Sequence, residues 1–269
     1  MGQIKLTEEK ETLLIPLYSK AAETKKENPI IYDEKAVEII NSIEYDHTIL
    51  NIPTKTHITI CIRAKQFDNY VKNLLLKEPK SIVVNLGCGL DSRFDRIDNG
   101  TVEWFDLDFP DVIQLRRSFF EETNRYHLIP SSVTDYNWLN LIDHKDSPII
   151  VLAEGLFMYL RENEVKELLQ RLKTTYPGSH LIFDSFNKLT AKNINKHPSI
   201  KKTGAHVYWG IDNAKDIEKW DDETKLKDVW YFSQSDEIKK LNAWYRLIFK
   251  VVGLFPIANN AHRIFVFQL

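Results

Sequence analysis

Gly87 and Gly89 stand where the apolar run Ser81-Ile82-Val83-Val84-Asn85-Leu86 stops. Glycine at the end of a buried strand lets the backbone approach a ligand that a Cβ would exclude. About 20 residues on, Trp104-Phe105-Asp106-Leu107-Asp108 supplies a second apolar run ending in acid, the spacing at which a carboxylate accepts both hydroxyls of a ribose. Asp108 is the first choice and Asp106 the second, because alternation along a strand points both side chains to one face. The spacing suits a nicotinamide dinucleotide and S-adenosylmethionine (SAM) alike. A dinucleotide pyrophosphate wants a third glycine where this chain has Ser92, and no Gly-Lys-Ser/Thr follows to make a nucleoside triphosphate loop. SAM carries no phosphate. It needs backbone room for its amino-acid end and an ion pair for its carboxylate.

The elements that must hold these residues follow from periodicity. Leu13, Leu14, Leu17 and Ala21, then Ala36, Val37, Ile39, Ile40 and Ile43, recur at helical spacing, with Asn28-Pro29 as a break between the two. A third helix is expected from Thr56 to Leu76, ended by Pro79. Short, nearly all-apolar runs at 81–86, 102–107, 149–153 and 180–186 are the kind that a parallel strand buried on both faces requires. Helical stretches at 111–123 and 162–176 lie between them, and strand alternating with helix implies a right-handed parallel βαβ sheet. Residues 187–228, rich in Lys, Asp and aromatics, are expected to form an inserted cap. Residues 226–232 and 262–269 are then the closing strands around a helix at 236–252. The expected organisation is one α/β, Rossmann-like unit with a mainly parallel seven-stranded sheet: helices at 1–78, a cofactor-binding core at 79–186, the cap, and closing elements at 229–269.

Composition narrows the partners. In 269 residues, 43% hydrophobic and 12% aromatic, there is apolar surface for one sizeable core and not for two ordinary domains. Thirty-six basic and 38 acidic residues give a net charge of -2, which leaves no field favouring nucleic acid or an anionic membrane. A small molecule is the expected partner. Cys61 and Cys88 alone make neither a disulfide framework nor a metal cluster, and no apolar run or signal core is long enough for a membrane or export, so a cytoplasmic location is expected.

Five blocks in order give a more specific resemblance. They are Thr12 to Ala21 with Tyr32 to Val37; Arg63-Ala64-Lys65-Gln66-Phe67-Asp68; Val84 to Arg93; Asp106-Leu107-Asp108-Phe109-Pro110; and Ala153-Glu154-Gly155-Leu156-Phe157-Met158-Tyr159-Leu160. In these the chain resembles the leucine carboxyl methyltransferase family, and within it a bacterial polyketide O-methyltransferase branch, over nearly its whole length. The resemblance implies a class I SAM-dependent O-methyltransferase, with S-adenosylhomocysteine as coproduct. It implies that Arg63 pairs with the SAM carboxylate, a charge-assisted contact guanidinium makes well, with Lys20 near the same group. Gly87 and Gly89 would lie against the methionine part, Asp108 on the ribose, and Glu154 toward the cofactor and active-site floor. Ser132 and Val133 fall where eukaryotic members contact adenine through an Asp-Leu pair. Two departures from the eukaryotic pattern stand out, Ser132-Val133 in place of that pair and a longer stretch from Lys20 to Asp33, whereas Asn85, where many methyltransferases outside the family carry an acid, favours this family.

Methyl transfer from a sulfonium is an in-line displacement in which the protein chiefly aligns the acceptor oxygen. A carboxylate acceptor needs no base and a phenol gains from one; the sequence leaves both open. Tyr159, His206 and Tyr208 are the candidate catalytic residues, with Arg161 and Trp209 as further pocket lining. His197 and His262 are expected to be ordinary packing or surface residues. No metal site is expected, and the absence of Gly-x-Ser-x-Gly speaks against hydrolysis. A SAM-binding protein without turnover, or a nicotinamide-linked oxidoreductase, are the competing functions. Oligomeric state is not readable from the sequence.

Overall fold

Seven strands lie in the order β3-β2-β1-β4-β5-β7-β6 in the structure, a computed structural model that describes residues 11–43, 45, 50–144, 147–196 and 205–269. They are β1 (Ile82–Leu86), β2 (Glu103–Asp108), β3 (Tyr126–Pro130), β4 (Ile149–Ala153), β5 (His180–Phe186), β6 (Lys225–Tyr231) and β7 (His262–Gln268). All neighbours pair in parallel except β7, which runs antiparallel between β5 and β6. The strand order reverses at β1, whose neighbours β2 and β4 are reached by crossovers in opposite directions. In such sheets the crevice beyond the carboxyl ends at the reversal is where ligands bind.

β1 and β4 are buried at all five positions, as their apolar sequences require, with Asn85 of β1 as the one polar residue. One face of the sheet packs on the amino-terminal helices α1 (Glu11–Thr24), α2 (Glu34–Ser42) and α3 (Thr54–Lys77), through residues such as Val83, Ile182 and Ile264 against Leu17, Ile39, Phe67 and Val71. The other face, with Val84, Val151, Phe183 and Phe265, is covered by Val165, Leu168 and Leu172 of α6 (Glu162–Thr175) and by Trp209 and Ile211 of the cap. Helix α2 starts where Asp33 accepts the Ala36 N–H at 2.9 Å.

Three expectations need correction. The helix expected over 111–123 ends early, as α5 (Pro110–Arg116): the N–H groups of Ser118 and Phe119 donate to carbonyls only three residues back, which tightens and stops the turn. The chain then enters β3, a strand absent from the sequence reading because its five residues carry polar neighbours and end in Pro130. The helix expected over 236–252 is divided. A 3₁₀ turn, Asp236–Lys240, precedes α9 (Ala243–Leu254), which begins anew because Asn242 accepts the Tyr245 N–H at 3.0 Å. In the cap, α7 (Lys188–Ile194) and α8 (Lys215–Glu218) are helical, and β6 starts at Lys225, so the last cap residues belong to the sheet. His197 lies outside the described residues.

Candidate active site

The loop after β1 folds over the end of β2. Gly87 and Cys88 both donate their N–H to Leu107 O, at 2.8 and 3.1 Å. Gly87, at φ +66°, and Gly89, at φ +51°, use backbone conformations that other residues rarely adopt, and a Cβ on Gly87 would meet Leu156 Cδ1 at 3.0 Å. The Gly89 N–H donates to Asp108 Oδ2 at 2.8 Å, and the Phe109 N–H to Asp108 Oδ1 at 2.7 Å. Burial pushes the Asp108 carboxyl above its ordinary range despite these donors. Asp108 is partly exposed at the crevice, with spare lone pairs on both oxygens.

Asp106 is a different case, and the expectation that it could serve as a second ribose acid is corrected. It is 1% exposed and takes donors from Asn85 Nδ2 (2.8 Å), Trp104 Nε1 (2.9 Å), Tyr126 Oη (2.6 Å) and the Arg116 guanidinium. Arg116, itself fully buried, also donates to Gly89 O at 2.9 Å and Asp91 O at 2.6 Å. Asp106 therefore anchors Arg116, and Arg116 holds the glycine loop from beneath. Asn85, where an acid would have repelled Asp106 across the β1–β2 register, hydrogen-bonds to it instead. Ser92 has its own use: its hydroxyl donates to Asp33 at 2.6 and 2.7 Å, tying the loop to the start of α2.

Arg63 reaches the crevice from α3. Its Nε donates to Glu154 Oε1 at 2.9 Å and its Nη1 to Asp184 Oδ2 at 3.1 Å. Gly155, at φ +66°, lies against the same guanidinium, where a Cβ would stand 3.3 Å from Nη1 and Nη2. The Gly155 N–H donates to Asp184 Oδ1 at 2.6 Å. Glu154 also pairs with Arg93 of α4 (Arg93–Ile97). Lys20 is buried and paired with Asp91, which further contacts Arg93 (2.9 Å) and Arg96 (3.2 Å). Arg93 and Arg96 share Asp68, and Arg96 reaches Asp33 at 2.7 Å. Lys20, Arg63, Arg93 and Arg96 thus face Asp33, Asp68, Asp91, Glu154 and Asp184, one carboxylate more than cations.

The loop after β3 comes beside β2, with the Ser131 N–H donating to Asp108 O at 2.9 Å. Ser132 is partly exposed and shares a hydrogen bond with Thr134 Oγ1 at 2.9 Å, whereas the Val133 side chain is buried in the core that contains Trp138. On the other side, Tyr208 donates its N–H to Met158 O at 2.9 Å, bringing the cap over the turn that bears Tyr159. The His206 and Tyr208 rings meet at a tilt of 55°, 4.5 Å between centroids, and Arg161 lies 5.3 Å over the Tyr208 ring. Tyr208 is 54% exposed and Tyr159 37%, and burial pushes the Tyr159 phenol up. Trp209 is not pocket lining: it is 4% exposed and packs in the core with Phe157 and Phe183.

Sequence reasoning did not single out Asp184, and it placed His262 among ordinary packing or surface residues. His262 Nε2 lies 2.6 Å from Asp184 Oδ2, and the ring sits between Phe186 and Phe232, at 4.6 and 4.8 Å between centroids. A lone acid inside the buried run His180–Phe186 was the available signal for Asp184. His262 had none, since its partner lies 78 positions away.

The leucine carboxyl methyltransferase family model matches residues 14–173, more than half the chain. The tetracenomycin polyketide synthesis O-methyltransferase TcmP of Streptomyces glaucescens is 32% identical over 266 residues, covering 98% of each chain. The SAM-dependent methyltransferase dpfgK of Gibberella zeae is 29% identical, covering 81% of this chain and 80% of its own. Among solved structures, a Thermobifida fusca protein assigned to the methyltransferases shares the fold at a TM-score of 0.59 and 15% identity, over 94% of both chains. The chain therefore belongs to the leucine carboxyl methyltransferase family, and it is a SAM-dependent O-methyltransferase with a Rossmann-like fold.

Proposed function

We propose that the chain, acting from residue 1 to 269 as one catalytic unit in the cytoplasm, binds SAM across the carboxyl ends of β1, β2 and β4 and methylates an oxygen of a small metabolite held under the cap. One observation supports this above the others: the Gly89 N–H and Asp108 carboxylate close one side of the crevice, while Arg63, Glu154 and Gly155 close the opposite side. The residues fit the cofactor. Gly87, Gly89 and Gly155 leave backbone room where a Cβ would intrude, Asp108 keeps lone pairs for a ribose diol, and the carboxylate excess suits a cofactor bearing a sulfonium and an ammonium.

When bound, SAM supplies a methyl group already activated on sulfur. Arg63, with Lys20 behind it, would hold the carboxylate end; Glu154 would attract the ammonium; Ser132 and the backbone at Val133 would border the adenine. Tyr159, His206, Tyr208 and Arg161 would border the acceptor and exclude water. A carboxylate acceptor would arrive ionised, needing alignment alone. One observation favours a second acceptor class, a hydroxyl: His262, oriented by Asp184, is built like a general base.

Calorimetric titration with SAM, S-adenosylhomocysteine and NAD, followed by an acceptor panel of aromatic carboxylic acids and phenols, tests the proposal. Micromolar binding of SAM with turnover on one panel class is expected. No SAM binding, or NAD in its place, overturns it, and binding without turnover across the panel leaves a SAM-binding protein. A kcat/KM that stays flat above about pH 6 marks a carboxylate acceptor, and one that rises with an ionising base marks a hydroxyl.

A further inference from the structure

A second polar cluster lies between α1 and α3, apart from the ion pairs that hold Lys20 and Arg63. His57 and Cys61 are four residues apart on α3 and so share a face. Glu23, near the end of α1, meets them: its Oε2 is 2.6 Å from His57 Nε2, and the donor atoms of Glu23, His57 and Cys61 all lie within 4.8 Å of one another. Glu23 and Cys61 are buried, while the His57 side chain keeps 13% exposure. Glu23 Oε1 is occupied, accepting the Ile30 N–H at 2.9 Å, which fixes the carboxylate and turns Oε2 toward the cluster. A hydrogen-bonded Glu-His-Lys trio would account for Lys26, whose ammonium lies 2.5 Å from Glu23 Oε2 and 3.3 Å from His57 Nε2. It would not account for Cys61, whose thiol finds the Ser19 carbonyl at 3.6 Å, nor for the buried Ser19 hydroxyl, which has no hydrogen-bond partner among the described residues.

We propose that Glu23, His57 and Cys61 form a binding site for a divalent transition metal of the zinc class. One imidazole nitrogen, one thiolate and one carboxylate oxygen is a donor set that zinc accepts, with a fourth position left for water. A cavity of about 140 Å³ adjoins Glu23 and Lys26 and can supply that water. The charges balance. The dication enters, the Cys61 thiol gives its proton to solvent, and the thiolate and carboxylate neutralise the metal, so the Lys26 ammonium is no longer needed. Lys26, 51% exposed at its side chain, can turn into water. No electron changes hands. The Lys26 ammonium holds the place of a cation that the metal takes over. Occupancy would clip α1 to α3, the helices that present Lys20 three positions before Glu23 and Arg63 two positions after Cys61. The metal would thus be a structural or regulatory element, outside the chemistry of methyl transfer.

Anaerobic titration of the reduced full chain with Co²⁺ as a spectroscopic probe tests the site without any acceptor. One equivalent is expected to give tetrahedral d–d bands and a thiolate-to-cobalt charge-transfer band, displaced by Zn²⁺. Cys61→Ser should abolish the charge-transfer band. His57→Gln, at a partly exposed position and read alongside circular dichroism, should weaken affinity at least tenfold. Zn²⁺ should raise the melting temperature of the wild type and not of either variant. A wild-type spectrum without a thiolate band overturns the proposal. So does a thiolate band retained at unchanged affinity in folded His57→Gln, which keeps the test decisive if Cys61→Ser fails to fold.

Discussion

Arg63 and Asp184 are 121 positions apart in the chain and 3.1 Å apart in the fold, joined by Nη1 and Oδ2. With Glu154 on its Nε, the guanidinium bridges two carboxylates from adjacent strand ends. That double pairing sharpens what its removal should do. Arg63→Ala is expected to weaken SAM binding by about 1–3 kcal/mol. It should also cost on the order of 3 kcal/mol of stability, because Glu154 and Asp184 lose their counter-charge. Calorimetry and urea unfolding on the same preparation read both. Unchanged SAM affinity in a folded variant would remove Arg63 from the site, and unchanged stability would show the pairing to be idle.

Asp106 and Asp108 differ by two residues and should fail in different ways. Asp106→Asn removes the charge that Arg116 meets in a fully buried pair, so a loss on the order of 3–5 kcal/mol of stability is expected. Asp108→Asn keeps one of the two backbone hydrogen bonds, because its amide nitrogen cannot accept the other, and it does so at a partly exposed position. It should leave the melting temperature within a few degrees while SAM affinity falls roughly tenfold or more. Equal effects of the two substitutions on affinity and stability would mean that the division of labour is wrong.

The candidate site is partly legible in the sequence. The glycine loop, the acid ending β2 and Arg63 sit in contiguous blocks whose residue types declare a purpose. Asp108 could not be separated from Asp106 by alternation, because both point to one face and the donors Asn85, Trp104, Tyr126 and Arg116 distinguish them. Those donors come from four elements. Strand β3 was invisible for a local reason, its brevity and terminal proline. Trp209 misled because an aromatic in a polar stretch suggests a pocket, while the fold uses it to seal the core beneath the cap.

Gly155→Ala should separate backbone strain from cofactor contact. At φ +66° an alanine costs about 1–2 kcal/mol, and its Cβ would stand 3.3 Å from the Arg63 guanidinium. The expected outcome is a modest loss of melting temperature with SAM affinity reduced about tenfold, since Arg63 must yield. Gly178→Ala, at φ +80° with open space around it, carries the strain alone and should leave SAM affinity intact. Identical SAM affinities for the two variants would refute the close approach at Gly155.

Asp184 sets an acid limit whose sign can be worked out. Burial works to raise its carboxyl, but the Arg63 charge, with the His262 hydrogen bond and charge and the Gly155 N–H, holds it down at about 2 against an ordinary 3.8. A depressed folded-state pKa means that the folded chain binds the proton more weakly than the unfolded chain. The stabilisation is therefore fully present above pH 4 and is lost as the pH falls toward 2, amounting to about 2 kcal/mol. Asp184→Asn should lower stability at neutral pH by leaving Arg63 with Glu154 alone. Its diagnostic effect is on slope: unfolding free energy plotted against pH between 4 and 2 should flatten by up to one proton. It should not become level, because Glu23, held at about 2 by His57, the Ile30 N–H and Lys26 against its own burial, titrates in the same window. Urea unfolding of wild type, Asp184→Asn and Glu23→Gln across that window measures the slopes. Parallel curves for wild type and Asp184→Asn would show that the Asp184 carboxylate gains nothing from Arg63 and His262 in the folded state.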